Sequence, residues 1–428
     1  MSVADWLILL PQEAREVIKK GDGWGYLTCR LSGPDRVGLV VALSNEDSDR
    51  VSVATDPGHF LMAADFHPIG HWYAVPGELA LLEYLSGHTS MDVPFDAFQK
   101  LVPKAERPSS GKWSIAVTYC AQPPAISEHE TLPAWSAWIV NEFFARPIRL
   151  DIRDGKELVS ALEALWPTRT LAGKRILLLG AGSIGGAAAE SLASYGAGQI
   201  DVVDPDRLLF HNVPRHVLTT KHVGMAKVDA LRQTLRGAWP ECCVVPLAID
   251  LVRDAHLVRP LLDDADIVVC TVDGVEARRV ANYLARRARK PIVFACVLAD
   301  GRYGEVLRIR PLPEVGCLDC KRRRLREAGR IDLEPTLDRG YGTGTRHNPM
   351  TAVGGDLHLL GQLAAKITVA TLLRAEGELD QTLVDDNLVI ALRPSPGYAD
   401  PFDGTRVLDQ KWYRAGRPYG DCTACSLT

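Results

Sequence analysis

The stretch Arg175-Ile176-Leu177-Leu178-Leu179-Gly180-Ala181-Gly182-Ser183-Ile184-Gly185 sets five apolar-rich residues directly against a glycine-rich turn. An Ala-rich segment ending near Tyr195-Gly196 follows, and a second apolar run, Gln199-Ile200-Asp201-Val202-Val203, ends at Asp204. The pattern predicts strand, turn, helix and strand. Gly180, Gly182 and Gly185 let the backbone approach a phosphate, and the helix N-terminus presents unpaired N–H groups and a positive dipole end. An acid at the end of the next strand, Asp204, is placed for ribose hydroxyls. This much predicts a nucleotide site in an α/β fold.

The residues after Asp204 narrow the chemistry. They run Asp204-Pro205-Asp206-Arg207-Leu208-Leu209-Phe210-His211-Asn212-Val213-Pro214-Arg215-His216, then Val223-Gly224-Met225-Ala226-Lys227. A dinucleotide-dependent oxidoreductase has no use for Asp206, Asn212, Arg215 and Lys227, whereas attack on a phosphate of ATP calls for cations around developing negative charge.

In these residues the chain resembles the adenylyltransferase superfamily of ubiquitin-activating enzymes and the sulfur-carrier activators of thiamine and molybdopterin biosynthesis. That family's pattern, Asp-x-Asp-x-Val-x-x-x-Asn-Leu-x-Arg-Gln and later Gly-x-x-Lys, is matched at Asp204, Asp206, Asn212, Arg215, Gly224 and Lys227, with Val213 for Leu and His216 for Gln. A second match, Asp273, Arg278 and Asn282, follows Asp-x-x-x-x-Arg-x-x-x-Asn, whose acid binds the Mg2+ on ATP in the family. By itself Asp273 would read as the N-cap of the next helix.

The resemblance implies a Rossmann-like adenylation domain with a mostly parallel sheet and a structural zinc site. It implies ATP-dependent adenylation of the C-terminal carboxylate of a ubiquitin-like or sulfur-carrier protein, with release of pyrophosphate. Asn212, Arg215 and Lys227 would act on the phosphorus, with Asp273 on Mg2+. It further implies a homodimer. The family's Arg-Tyr-x-Arg-Gln stretch, which reaches the opposite subunit's ATP, has no match here; Arg149, Arg153 and Arg169 are the substitutes to test. Two other readings are a tRNA-linked carboxylate as substrate and a non-catalytic scaffold.

Cysteine use supports the metal. Of ten cysteines, Cys317/Cys320 and Cys422/Cys425 form two Cys-x-x-Cys pairs, a spacing that grips tetrahedral Zn2+. Cys242, Cys243, Cys270 and Cys296 sit in apolar runs and read as inert packed thiols. Ubiquitin-activating relatives carry a nucleophilic cysteine in the crossover after the first pair. None occurs between Cys320 and Gly355. Direct hand-over to a thiol or conjugating-enzyme-like acceptor is therefore expected ahead of an oxyester on Thr343, Thr345 or Thr351 with His347 as base.

The 428 residues, 46% of them apolar, suffice for two domains, and a net charge of −4 gives no general pull on nucleic acid or membrane. The N-terminus lacks a signal peptide's basic start, and no apolar run reaches spanning length, so a cytoplasmic protein is expected. Residues 1–121 read as an accessory α+β domain, 122–170 as linker and helices, and 171–428 as the adenylyltransferase domain. Within this scheme a helix through Trp6, Leu7, Leu10, Ala14 and Ile18 is interrupted at Pro11, and helices are expected at Ala134–Phe144 and Lys156–Trp166. His59, His67, His71 and His88 fit no ligand spacing, and the run Lys321–Arg326 reads as a solvated helix face.

Overall fold

The computed structural model describes residues 6–21, 23–32, 36–45, 51–53, 69–89, 91–102, 104–127, 130–153, 159, 162–311, 313, 315–330 and 352–426. The chain divides into two compact units, Met1–Gly155 and Lys156–Thr428. No described helix is long and apolar enough to cross a membrane.

The first unit is built on strands β1 (Leu7–Pro11), β2 (Trp24–Ser32), β3 (Val37–Asn45), β4 (Val51–Ser52), β5 (Ile69–Ala74), β6 (Val93–Pro94) and β7 (Trp113–Tyr119). It continues with the ribbon β8 (Ala125–Ser127) and β9 (Glu130–Thr131), then β10 (Trp135–Asn141) and β11 (Phe144–Arg153). Pairing runs β1-β11-β10-β7-β5-β2-β3, and β1 pairs β3 as well, so the sheet closes on itself as a barrel. Alternation places Ile8, Leu10, Leu27, Val40, Val117 and Ile139 in one core. Helices α2 (Gly77–Thr89) and α3 (Phe95–Leu101) bring Leu79, Phe95 and Phe98 against Tyr73, Ala116 and Trp138 on the other face.

Several expectations from the sequence differ from the structure here. The apolar stretch before Pro11 is strand, and helix α1 (Gln12–Lys20) starts only after it. A proline has no N–H to give a ladder, so it serves at the strand's end and helix's start. The expected helix Ala134–Phe144 is strand β10 and its turn, because Trp135-Ser136-Ala137-Trp138-Ile139-Val140 is aromatic and β-branched and is buried on both faces. The first unit therefore extends to Gly155, beyond the expected boundary at 121. Of Lys156–Trp166, the described residues lie in turns, a bend and a 3-10 position at Leu162 rather than in an α-helix.

The second unit opens with α4 (Thr168–Ala172), β12 (Arg175–Leu179), α5 (Ser183–Ser194), β13 (Gln199–Val203), α6 (Lys227–Ala238) and β14 (Cys243–Leu247). Next come α7 (Ala255–Val258), α8 (Leu261–Asp264), β15 (Ile267–Cys270), α9 (Val275–Arg287), β16 (Ile292–Leu298) and β17 (Tyr303–Ile309). The last elements are α10 (Leu318–Glu327), α11 (Gly354–Ala375), β18 (Asn387–Ala391) and β19 (Gln410–Tyr413). Sheet order is β14-β13-β12-β15-β16-β17-β18-β19. Pairings from β14 through β16 are parallel and those from β16 through β19 antiparallel, so the expected mostly parallel sheet is a mixed one.

The strand β12 is apolar throughout because both its faces are covered. Ile176 and Leu178 pack with Ala189, Val228 and Leu360 from α5, α6 and α11, while Leu177 and Leu179 pack with Leu262, Ala281 and Leu318 from α8, α9 and α10. Helix α5 follows β12 on one face and α9 follows β15 on the other. The chain reverses direction across the sheet between these two neighbouring strands, and in doubly wound sheets ligands bind at the carboxyl ends of strands at such a point. The glycine turn sits at that point. Gly180 has φ +100°, and a Cβ on Gly185 would lie 2.0 Å from the Gly180 carbonyl oxygen and 2.6 Å from Thr271 Oγ1. The Gly185→Ala variant should therefore push α5 off β12 and lose about 1–3 kcal/mol of stability in denaturant titration; unaltered stability would contradict this packing.

Candidate functional site

The site is assembled from three strand ends. After β12 the turn Gly180-Ala181-Gly182 leads into α5 with Gly182 at its N-cap, and a Cβ on Gly182 would meet nothing within 4 Å. After β15, the Thr271 hydroxyl donates to the Gly180 carbonyl at 2.9 Å and so ties the two strand ends together. After β13, Asp204 is buried: its Oδ2 accepts the Ala181 N–H at 2.7 Å and its Oδ1 accepts the Asp206 N–H at 2.9 Å.

Backbone pairing brings the lysine to the acids. The Leu208 N–H donates to the Met225 carbonyl, the Lys227 N–H to the Asp206 carbonyl, and Gly224 turns with φ +91°. Lys227 consequently starts α6 with Nζ 2.7 Å from Asp206 Oδ2 and 4.0 Å from Asp204 Oδ1. Burial alone would lower the Lys227 pKa; the carboxylates of Asp204, Asp206 and Asp273 outweigh it and hold the ammonium above its usual range. The Asp204 pKa is raised as well: burial lifts its carboxyl above the usual range against the opposing charge of Lys227, with Asp206 adding to the rise.

Asp273 is exposed beyond the end of β15, and its carbonyl accepts from Arg278 Nη2 at 3.1 Å. Gly180, Gly182, Gly185, Asp204, Asp206, Lys227 and Asp273 thus belong to one region. Asn212 turns back on its own loop, where Oδ1 accepts the Leu209 N–H at 2.9 Å. Arg215 ends the same 3-10 turn, Phe210–Arg215, and its carbonyl oxygen lies 3.0 Å from His358 Nε2 of α11. Asn282 is structural: its Oδ1 accepts the Leu318 N–H at 3.0 Å and fixes the start of α10. Arg149 and Arg153 belong to β11 of the first unit, and Arg169 to α4.

Two contributors escaped the sequence reading. Thr271 stands in an apolar run with no pattern to mark it. His216 was visible only as a departure from the family's Gln. Its Nε2 lies 2.8 Å from the Ala181 carbonyl oxygen and its Nδ1 accepts the Leu218 N–H at 3.1 Å. Burial pushes its pKa down to about 4, and Lys227, His358 and Arg215 act in the same direction.

Cys317, Cys320, Cys422 and Cys425 converge, with sulfurs within 4.8 Å of one another. Separations of 3.9 Å for Cys317–Cys320, 3.5 Å for Cys317–Cys422 and 3.8 Å for Cys320–Cys425 match the ~3.8 Å edge of a tetrahedron with ~2.3 Å metal–sulfur bonds. The buried Arg286 Nη2 lies 3.4 Å from Cys425 Sγ, a cation suited to offset thiolate charge. Among the described residues this is the one group of three or more candidate ligands. His71 stacks on Tyr73 and makes a tilted ring contact with Tyr26 instead, and His59 and His67 lie outside the described residues. Burial pushes the thiols of Cys29, Cys242 and Cys270 up to about 12, so they are poor nucleophiles, while Cys243, expected to be packed, is exposed.

The run Lys321–Arg326 is not the solvated face expected of it. Lys321 and Arg322 are buried against Glu305, and Arg323 bonds Glu327 and Asp421. The crossover residues Thr343, Thr345, His347 and Thr351 lie outside the described residues.

A profile of the ThiF family matches residues 161–384, more than half of the chain. An uncharacterized protein, y4oA, from Sinorhizobium fredii is 30% identical over 47% of this chain and 36% of its own length. A sulfur carrier protein ThiS adenylyltransferase from Bacillus subtilis is 31% identical over 34% of this chain and 43% of its own length. A molybdopterin-synthase adenylyltransferase from Escherichia coli is 32% identical over 29% of this chain and 49% of its own length. The chain thus spans less than half the length of each of these relatives.

His216 gives a pH signature. Its pKa is about 4 folded against an ordinary 6.5, so the unfolded chain binds the extra proton. Its stabilising contribution is complete above pH 6.5 and is lost as pH falls through 4. Stability should drop by about 3 kcal/mol over that window on this residue's account, and His216→Gln should flatten the slope in denaturant titrations at stepped pH.

Proposed function

This chain belongs to the ThiF family, and on that premise we propose that its second unit is an ATP-dependent adenylyltransferase. It activates the C-terminal carboxylate of a ubiquitin-like or sulfur-carrier protein in the cytoplasm and passes the product to a nucleophile on a thiol or conjugating-enzyme-like partner, working as a homodimer. The observation that carries this reading is Lys227, buried between Asp204 and Asp206 and raised further by the charge of Asp273, beside a glycine turn at the sheet's carboxyl end. The names of the Bacillus subtilis and Escherichia coli relatives support the same chemistry.

In the reaction a carboxylate oxygen attacks the α-phosphorus of ATP, the bond to the bridging oxygen breaks, and the electron pair leaves with pyrophosphate. Gly180, Gly182 and Gly185 let the phosphates reach the N-terminus of α5. Asp204 spends one lone pair of each oxygen on the Ala181 and Asp206 N–H groups and keeps the others for ribose hydroxyls. Lys227, with Arg215 and Asn212, stabilises charge growing on the phosphorus; loss of one such donor costs about two to three orders of magnitude in rate. The exposed carboxylate of Asp273 would hold Mg2+, which when bound neutralises phosphate charge. The acceptor's nucleophile then attacks the acyl carbon of the adenylate, the bond to the phosphate oxygen breaks and AMP leaves with the electron pair; Thr343, Thr345 or Thr351 is the oxyester alternative.

The four cysteines would hold Zn2+ in a structural role, since four protein ligands leave no open position. Purified protein should contain about one zinc per chain by elemental analysis, and Cys320→Ser should lose it and melt earlier; metal-free protein of unchanged melting temperature would count against the site. Asp273→Ala should abolish carrier-dependent pyrophosphate–ATP exchange while circular dichroism stays unchanged. Exchange at the original rate would remove Asp273 from the mechanism.

A further inference from the structure

We propose that His216 is a positioning residue for phosphate, on the reading of the second unit as an ATP site: it clamps the glycine turn to the segment carrying Arg215 and so aims the Gly182 N–H into the nucleotide crevice. The inference starts from the two ring nitrogens. The Leu218 N–H can only donate, so Nδ1, 3.1 Å away, carries no proton. The Ala181 carbonyl can only accept, so Nε2, 2.8 Å away, must be the N–H. One neutral tautomer satisfies both, and it is the form that burial beside Lys227, His358 and Arg215 favours.

The consequence lies in the peptide geometry. The Ala181 N–H is held by Asp204 Oδ2 at 2.7 Å and the Ala181 carbonyl by His216, so the peptide planes on both sides of Ala181 are fixed. In a planar trans peptide the carbonyl and the next N–H point in opposite directions. With the Ala181 carbonyl drawn to His216, the Gly182 N–H points away from the histidine at the start of α5, where a Cβ on Gly182 would meet nothing within 4 Å. A donor fixed before the ligand arrives loses little freedom on binding an anion. Because His216 follows Arg215 directly, the same clamp fixes the backbone that carries the Arg215 guanidinium, and His358 Nε2 lies 3.0 Å from the Arg215 carbonyl oxygen.

Three variants separate positioning from general structure. The side-chain amide nitrogen of Gln reaches where Nε2 stands, whereas Asn reaches only as far as Nδ1. Binding of Mg·ATP and of adenosine would be measured by calorimetry for His216→Gln, His216→Asn and His216→Ala in the full chain. The expected result is that Gln binds Mg·ATP within about threefold of the unaltered chain, while Asn and Ala weaken it by about tenfold or more, with adenosine unchanged throughout. Retention of Mg·ATP affinity in Asn and Ala would overturn the inference. So would a parallel loss for adenosine, or a Gln variant as weak as Ala. An unaltered chain that binds no Mg·ATP would overturn the ATP reading itself, and this inference with it.

Discussion

A buried carboxylate organises the second unit. Asp204 lies at the end of β13, out of water, and is tolerated there because two backbone N–H groups and the Lys227 ammonium face it. An isolated charge so placed would cost several kcal/mol. The arrangement makes each partner depend on the others: the glycine turn is held by Asp204, Asp204 is compensated by Lys227, and Lys227 is delivered by the pairing of Asp206–Leu208 with Gly224–Lys227. Fixed donors and charges are what a reaction at phosphorus requires, since they need not reorganise as charge develops.

Much of this was legible in the sequence because the features are local. A strand followed at once by Gly-Ala-Gly, an acid at the end of the next strand, and a lysine opening the next helix are each determined within a few residues. The parallel half of the sheet followed for the same reason. The antiparallel half was less visible, because α10 and α11 separate β17 from β18, a long connection separates β18 from β19, and their pairing is set by tertiary contact. In the first unit the failure had a different source: Trp135–Val140 carries aromatic residues at positions compatible with helix or strand, and only burial on both faces decides between them.

Side-chain placement was legible only where the partner was close in sequence. His216 could be seen to differ from a pattern, yet its partner Ala181 lies 35 residues upstream. The basic run after Cys320 reads as solvent-facing because the sequence near it offers no partner that would bury Lys321 and Arg322. In the structure Glu305, on a neighbouring strand, lies under Lys321 and Arg322 and turns them inward. Charge runs are therefore ambiguous until the opposing element is known.

The double pairing of β1 shapes what the first unit can do. With β11 on one side and β3 on the other, the ring of strands it completes presents no unpaired backbone along those borders, and so gives an extended peptide no template there. Along those borders, binding has to go through side chains and loops. Removal of Leu7–Pro11 alone would strip the cover from two long neighbouring strands at once. It would turn a self-contained module into an adhesive one, so a misplaced protease cut in those few residues would favour clumping over simple loss of fold.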